Sequence, residues 1–272
     1  MRYTILDPTG NVTALVESAV AICDQPRVAD AIMEAHPEVE QVGFVSLEGM
    51  GPGIDVGMRM AGGEFCGNAT MSTAALFAER RLNLTTGDEI SVMVRVSGTD
   101  RPPEVRLRRE EAGFYTANVM MPEALSHEVL ELEFDGSRVR VPLVLMQGIS
   151  HLIIESDCEY FWLLESPAAA EAAVRQFAEE IGSDGLGLMF FDGTADGGVL
   201  TPLVYVPRAN TCFWEHSCAS GTSAAAMYLA RRLNSRIDAS FEEPGGILSV
   251  TSEPAGQTWL KGSVRIVSDH EL

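Results

Sequence analysis

Two stretches of the chain carry no charged side chain on any face: Thr70–Ala78 (TMSTAALFA) and Thr222–Ala230 (TSAAAMYLA). A helix without a polar face belongs inside a fold rather than on its surface. Each stretch then reaches Arg-Arg, where cations suit the negative end of a helix dipole. Leu-Asn follows in both, so Asn83 and Asn234 are predicted left-handed caps. Elsewhere the pattern is that of short strands, rich in β-branched and aromatic residues and often alternating: Ile90–Ser97, Phe114–Met121, Val139–Met146, Phe161–Leu164, Leu186–Phe191, Leu203–Val206 and Leu260–Val267. Pro26–His36 and Ala168–Ile181 have the spacing of amphipathic surface helices. Gly51–Gly53, Thr99–Pro103 and Glu243–Gly246 read as turns or loops.

The two buried helices belong to a longer repeat. EFCGNATMSTAALFAERRL begins at Glu64 and HSCASGTSAAAMYLARRL at His216, each led by a cysteine and each flanked by strands. The pattern predicts an α+β chain of two pseudo-symmetric domains, each a sheet wrapped around a central buried helix. The expected domains are 1–122, completed by a C-terminal strand at 262–272, and 123–261, with the active site in the cleft between them.

Composition narrows the partners. Nineteen basic and 39 acidic residues give a net charge of −20. That balance argues against nucleic acid and anionic membrane, which require basic patches, and leaves a small molecule as the expected partner. No apolar run is long enough to span a bilayer, and MRYTILDPTGN does not resemble a signal peptide, so a cytoplasmic protein is expected. The five cysteines, Cys23, Cys66, Cys158, Cys212 and Cys218, are odd in number and form no C-x-x-C pair, which fits free thiols better than a disulfide framework. A homodimer stays an open alternative.

The duplicated cysteines sit where chemistry is available. A thiol at a helix start feels unpaired N–H groups and the positive dipole end, and its pKa is expected to fall below about 8.5. The same N–H groups suit a carboxylate, and Gly67, Asn68, Ala219, Ser220 and Gly221 leave room for them to approach one. Two such helix ends on either side of an α-carbon allow one thiolate to remove a proton while the opposite thiol delivers another, with no cofactor and no metal. Cys23, Cys158 and Cys212 read as inert buried thiols. Two other classes compete: a metal-binding protein using Cys212, His216 and Cys218, for which no second cluster supplies zinc-type spacing, and a catalytically dead amino-acid binder.

Pro8-Thr9-Gly10-Asn11, Cys66-Gly67-Asn68-Ala69, Cys218-Ala219-Ser220-Gly221-Thr222 and Glu243-Pro244-Gly245-Gly246 occur in that order along the whole chain. Together they resemble the diaminopimelate-epimerase-like superfamily of cofactor-independent amino-acid racemases and epimerases. Within it, PTGNVTALV, EQVGF, GEFCGNATMS, WEHSCASGT and EPGG are most similar to the histidine racemases of opine-type metallophore biosynthesis. The resemblance implies an α+β fold of two pseudo-symmetric domains, each a β-barrel-like sheet wrapped around a central buried helix, a catalytic Cys66/Cys218 pair, substrate contact at Asn11, and a substrate carboxylate held at Gly67, Asn68, Ala219 and Ser220. Glu40 is a candidate for recognising the substrate side chain. Glu215 and Trp214 are placed to line the site or support the second helix. The chain departs from the family pattern in three places. Ala219 replaces a glycine, Gly148-Ile149-Ser150-His151 lacks the asparagine of diaminopimelate epimerases, and Arg208 stands where histidine racemases carry an acid. Racemisation of L-histidine to D-histidine is the leading expectation, with another amino acid, diaminopimelate included, as the alternative.

Overall fold

The computed structural model describes residues 1–208 and 210–271, which fall into two compact units, 1–121 with 260–271 and, between them in sequence, the residues from 122 to 259. Leu272, the last residue of the expected C-terminal strand, lies outside the described residues. The first unit begins with β1 (Arg2–Asp7), β2 (Thr13–Val16), α1 (Gln25–Ala35), β3 (Gln41–Ser46), β4 (Val56–Met60), α2 (Gly67–Arg81), β5 (Glu89–Val96), β6 (Glu104–Glu111) and β7 (Phe114–Met121). The second contains β8 (Ser126–Phe134), β9 (Ser137–Leu145), β10 (Ser150–Glu155), α3 (Pro167–Ile181), β11 (Leu186–Thr194), β12 (Gly197–Val206), β13 (Thr211–Trp214), α4 (Ala219–Leu233), β14 (Ile237–Glu243) and β15 (Gly246–Ser252). The last strand, β16 (Thr258–Glu271), carries the chain back into the first unit.

In the first unit the strands run β1-β2-β3-β4-β5-β6-β7-β16, and β16 also pairs antiparallel with β1, which closes the ring. Closure removes the unpaired edges that an open sheet would expose. The α2 helix runs through the ring against β2, β4, β5, β6 and β7. Its side chains from Gly67 to Leu76, and Ala78, are buried, as a charge-free sequence requires. Strand β7 alternates as its sequence predicts, with Tyr115, Ala117, Val119 and Met121 buried. Surface helix α1 lays Val28, Ala29 and Ile32 against Tyr3, Ile5, Ala14, Val16, Val42 and Phe44.

The second unit repeats the plan with a seven-strand path, β8-β9-β10-β11-β12-β14-β15, and β13 added beside β12. Helix α4 packs on β9, β10, β11, β14 and β15, with Ala219 to Met227, Leu229 and Ala230 buried. Helix α3 covers the other face through Ala170, Ala173, Val174, Phe177 and Ala178. Each fully buried aliphatic side chain contributes about 2 kcal/mol relative to exposure.

Two local expectations fail for physical reasons. Phe161–Leu164 is not a strand but part of a 3-10 helix, Glu159–Glu165, in which Tyr160 and Leu163 are the buried positions. A spacing of three suits a three-residue turn, and the Tyr160 hydroxyl is anchored on the carbonyl oxygens of Leu132 (2.8 Å) and Ser137 (2.9 Å). Asn234 caps α4 in the left-handed region (φ 49°, ψ 42°), but α2 ends on an extended Leu82 (φ −119°, ψ 145°), so Asn83 is not its cap. Arg80 instead binds the α2 end to Thr4, Glu17 and Asp269. Among the described residues no helix is long and apolar enough to cross a membrane.

Candidate active site

Both cysteines are N-caps. Cys66 has extended backbone (φ −136°, ψ 116°), and its sulfur accepts the Ala69 N–H at 3.3 Å. Cys218 has the same form (φ −130°, ψ 96°), and its sulfur accepts the Gly221 N–H at 3.4 Å. The threonine four residues on closes each turn, Thr70 onto the Cys66 carbonyl (2.7 Å) and Thr222 onto the Cys218 carbonyl (2.8 Å). Each thiol therefore takes the third N–H of its helix. Gly67, Asn68, Ala219 and Ser220 occupy the first two positions, where backbone N–H groups have no acceptor within the helix; all four are buried.

In the first unit a polar chain leads to Cys66. Thr9 (φ 55°) and Gly10 (φ 89°) form a tight left-handed turn, fixed by Gly10 N–H to Asp7 (2.5 Å) and by Ser263 N–H to Thr9 Oγ1 (2.9 Å). The turn delivers Asn11, 1% exposed, into the interior. Its Nδ2 donates to Glu40 Oε2 at 2.6 Å. Gln41 donates from Nε2 to Asn11 Oδ1 and to Thr13 Oγ1 (3.0 Å), and its Oε1 accepts from the Cys66 thiol at 3.0 Å. Asn11, Glu40 and Cys66, singled out from sequence, thus belong to one network. Gln41, which joins them, was not singled out; its signal was its place beside Glu40 at the start of a strand. An amide is well suited here, since its oxygen serves a thiol and its NH2 would serve a thiolate.

In the second unit Cys218 is buried. Its pKa lies well above the ordinary value because of burial, with the charge of Glu215 adding to the rise. This corrects the expectation of a lowered pKa: a helix terminus favours the thiolate by a fraction of what full burial beside acids costs it. Trp214, next in the chain to Glu215, supports the element by stacking on Phe190 (5.7 Å between centroids). Arg208 pairs with Asp184 at 2.9 Å, both exposed. Cys212 packs against the α3-side core, and burial raises its thiol.

His151 of the Gly148–His151 segment is fully buried, and among the described residues neither ring nitrogen has a hydrogen-bond partner. Burial pushes its pKa down to about 3. The unfolded chain protonates this histidine near pH 6.5 while the folded one does not, so its stabilising effect is lost as pH falls below 6.5. Glu243, raised to about 8 by burial, acts oppositely, favouring the fold as pH falls from 8 toward 4.5. A His151→Leu variant isolates the first effect. Relative to wild type it should gain about 2 kcal/mol of stability between pH 6.5 and about pH 5, measured by urea unfolding at both pH values. Equal slopes for the two proteins would show that His151 does not titrate in this way.

Two barrel-like units, each threaded by a cysteine-capped helix, make up an α+β architecture. It is shared with a solved structure described as a predicted epimerase from Pseudomonas aeruginosa, at a TM-score of 0.65 and 15% identity, covering 100% of this chain and 98% of that one. The family profile described as Histidine racemase CntK N-terminal domain matches residues 1–271. The chain belongs to this family and is an isomerase of the amino-acid racemase type. A histidine racemase of Fusobacterium nucleatum (strain ATCC 23726) is 30% identical over 277 residues, 100% of this chain and 97% of the relative. A histidine racemase of Staphylococcus aureus (strain Mu50) is 28% identical over 274 residues, 98% of this chain and 96% of the relative.

Proposed function

We propose that this chain interconverts L- and D-histidine by a two-thiol mechanism that uses no cofactor. The observation that carries this reading is the duplicated helix start, in which a cysteine caps a buried helix and receives the N–H of the residue three positions on. Relatives named for histidine racemisation, similar over nearly the whole chain, support the substrate. The substrate carboxylate takes the N–H groups of Gly67, Asn68, Ala219 and Ser220, which stabilise the negative charge that develops when the α-proton leaves. One sulfur, as thiolate, removes that proton; the other, as thiol, returns one to the opposite face, and the two cysteines exchange protonation states in each turnover. Cys218, its pKa raised, is the resting proton donor, which leaves the base role to Cys66. Glu40, oriented by Asn11, accepts a hydrogen bond from the imidazole.

The test is α-proton exchange by NMR in D₂O, with reductant and no added cofactor, across a panel of L-amino acids. Exchange with histidine and little else is the expected result. Exchange confined to another amino acid would keep the two-thiol chemistry and remove Glu40 from imidazole recognition. No exchange with any of them would overturn the racemase mechanism.

A further inference from the structure

The second helix start differs from the first in holding a carboxyl group. Glu243, 4% exposed at the end of β14, accepts the Cys218 N–H on Oε2 at 2.7 Å. Its Oε1 lies within hydrogen-bonding distance of Thr222 Oγ1, and the same Thr222 oxygen lies 2.8 Å from the Cys218 carbonyl oxygen. The segment after Glu243 is fixed by Gly245 N–H to the His216 carbonyl (2.7 Å).

Burial without a counter-charge bears on the state of this carboxyl: among the described residues no Arg, Lys or His pairs with Glu243. The Thr222 hydroxyl has one proton and two oxygen neighbours, Glu243 Oε1 and the Cys218 carbonyl. Were Glu243 ionised, Thr222 would share its one proton between Oε1 and the Cys218 carbonyl, and no cation would offset the buried charge. With a proton on Oε1, every contact is satisfied: Glu243 donates to Thr222, Thr222 donates to the Cys218 carbonyl, and the Cys218 N–H donates to Oε2.

We infer that Glu243 works as a neutral carboxylic acid, a positioning residue that ties both backbone groups of Cys218 without setting a negative charge beside its sulfur. The inference rests on the reading of Cys218 as one of the two acting thiols. The surroundings agree with it. The group meets Thr222 of α4 and the N–H of the cap residue Cys218, and the charge of Glu215, in the preceding segment, acts on the Cys218 thiol. Of the flanking strands, β15 carries no ionisable side chain and β12 carries one, the Tyr205 phenol. Burial raises Glu243 to about 8, against the lowering effect of its two hydrogen bonds. A second carboxylate beside Glu215 would hold the thiol protonated more strongly; a neutral acid at the same place keeps the geometry without that cost.

The test reads the carboxyl and the thiol without substrate, so failure of the racemase reading would leave it intact. In infrared spectra the carbonyl band of a protonated carboxylic acid should be present at pH 7, fade as pH passes about 8, and be absent from Glu243→Gln. Iodoacetamide modification of Cys218, followed by peptide mass spectrometry, should proceed at the same rate within about twofold in wild type and Glu243→Gln at pH 7, and faster in the variant at pH 9, where wild type carries the extra charge. A Cys218 at least about tenfold more reactive in the variant at pH 7, the effect of removing a neighbouring charge, would overturn the inference. So would a wild-type spectrum with no band that Glu243→Gln abolishes, a result that stands even if the variant is destabilised.

Discussion

Replacing either Cys66 or Cys218 is expected to lower histidine racemisation by at least about 10²- to 10⁴-fold, the range contributed by one positioned acid or base. The choice of replacement separates chemistry from structure. Alanine removes the sulfur that accepts the Ala69 or Gly221 N–H, an N-cap loss of about 1 kcal/mol. Serine keeps an acceptor at the same place but is too weak an acid to be ionised near neutral pH. Cys66→Ser and Cys218→Ser should therefore melt close to wild type while losing turnover, measured by chiral chromatography together with unfolding curves. Deuterium uptake adds a finer readout. A variant that washes the α-proton from one enantiomer without inverting it assigns the remaining sulfur to that enantiomer. Wild-type turnover in either serine variant would end the two-thiol account.

The sequence made the two helices legible because their signal is the absence of charge from every face, which survives any tertiary context. The alternating strand β7 was equally plain. Strand β2, Thr13–Val16, was not, since all four residues are buried and a short run buried on both faces has no period to read. Phe161–Leu164 looked like a strand because its aromatic and aliphatic residues are strand formers, yet Tyr160 and Leu163 bury at a spacing of three. The cysteines were found by repetition, but the sign of the Cys218 shift was not, because it comes from full burial of the thiol in the folded chain, with Glu215 adding to it from outside the repeated segment. The same holds for Gln41: a glutamine at a strand start is unremarkable until the turn at Thr9–Gly10 brings Asn11 against it. Helix starts are local and can be read from the chain. The groups that tune them arrive through tertiary contacts.

Gly98→Ala should damage activity out of proportion to its size, because the residue it would strike is the neighbour of Cys66. Gly98 is held at φ +76°, and a Cβ there would lie 2.1 Å from the Phe65 backbone nitrogen and 2.6 Å from the Glu64 carbonyl carbon. Backbone cannot yield as a side chain does, and the contact is further pinned by Ser97, whose hydroxyl donates to the Glu64 carbonyl (2.9 Å) and accepts the Met60 N–H (2.9 Å). The left-handed conformation alone costs an alanine about 1–2 kcal/mol, and relief of the overlap requires the Glu64–Phe65 segment to move. A displacement of the order of 1 Å at a reacting group costs about 10²-fold in rate, and that loss is expected here in kcat, with melting lowered as well. Gly87→Ala is the control. It has the same left-handed backbone (φ +92°), in the same unit, but nothing within 4 Å of an added Cβ. It should show the conformational cost in its melting curve and turnover near wild type. Equal turnover in the two variants would mean that Gly98 sets stability and not the position of Cys66.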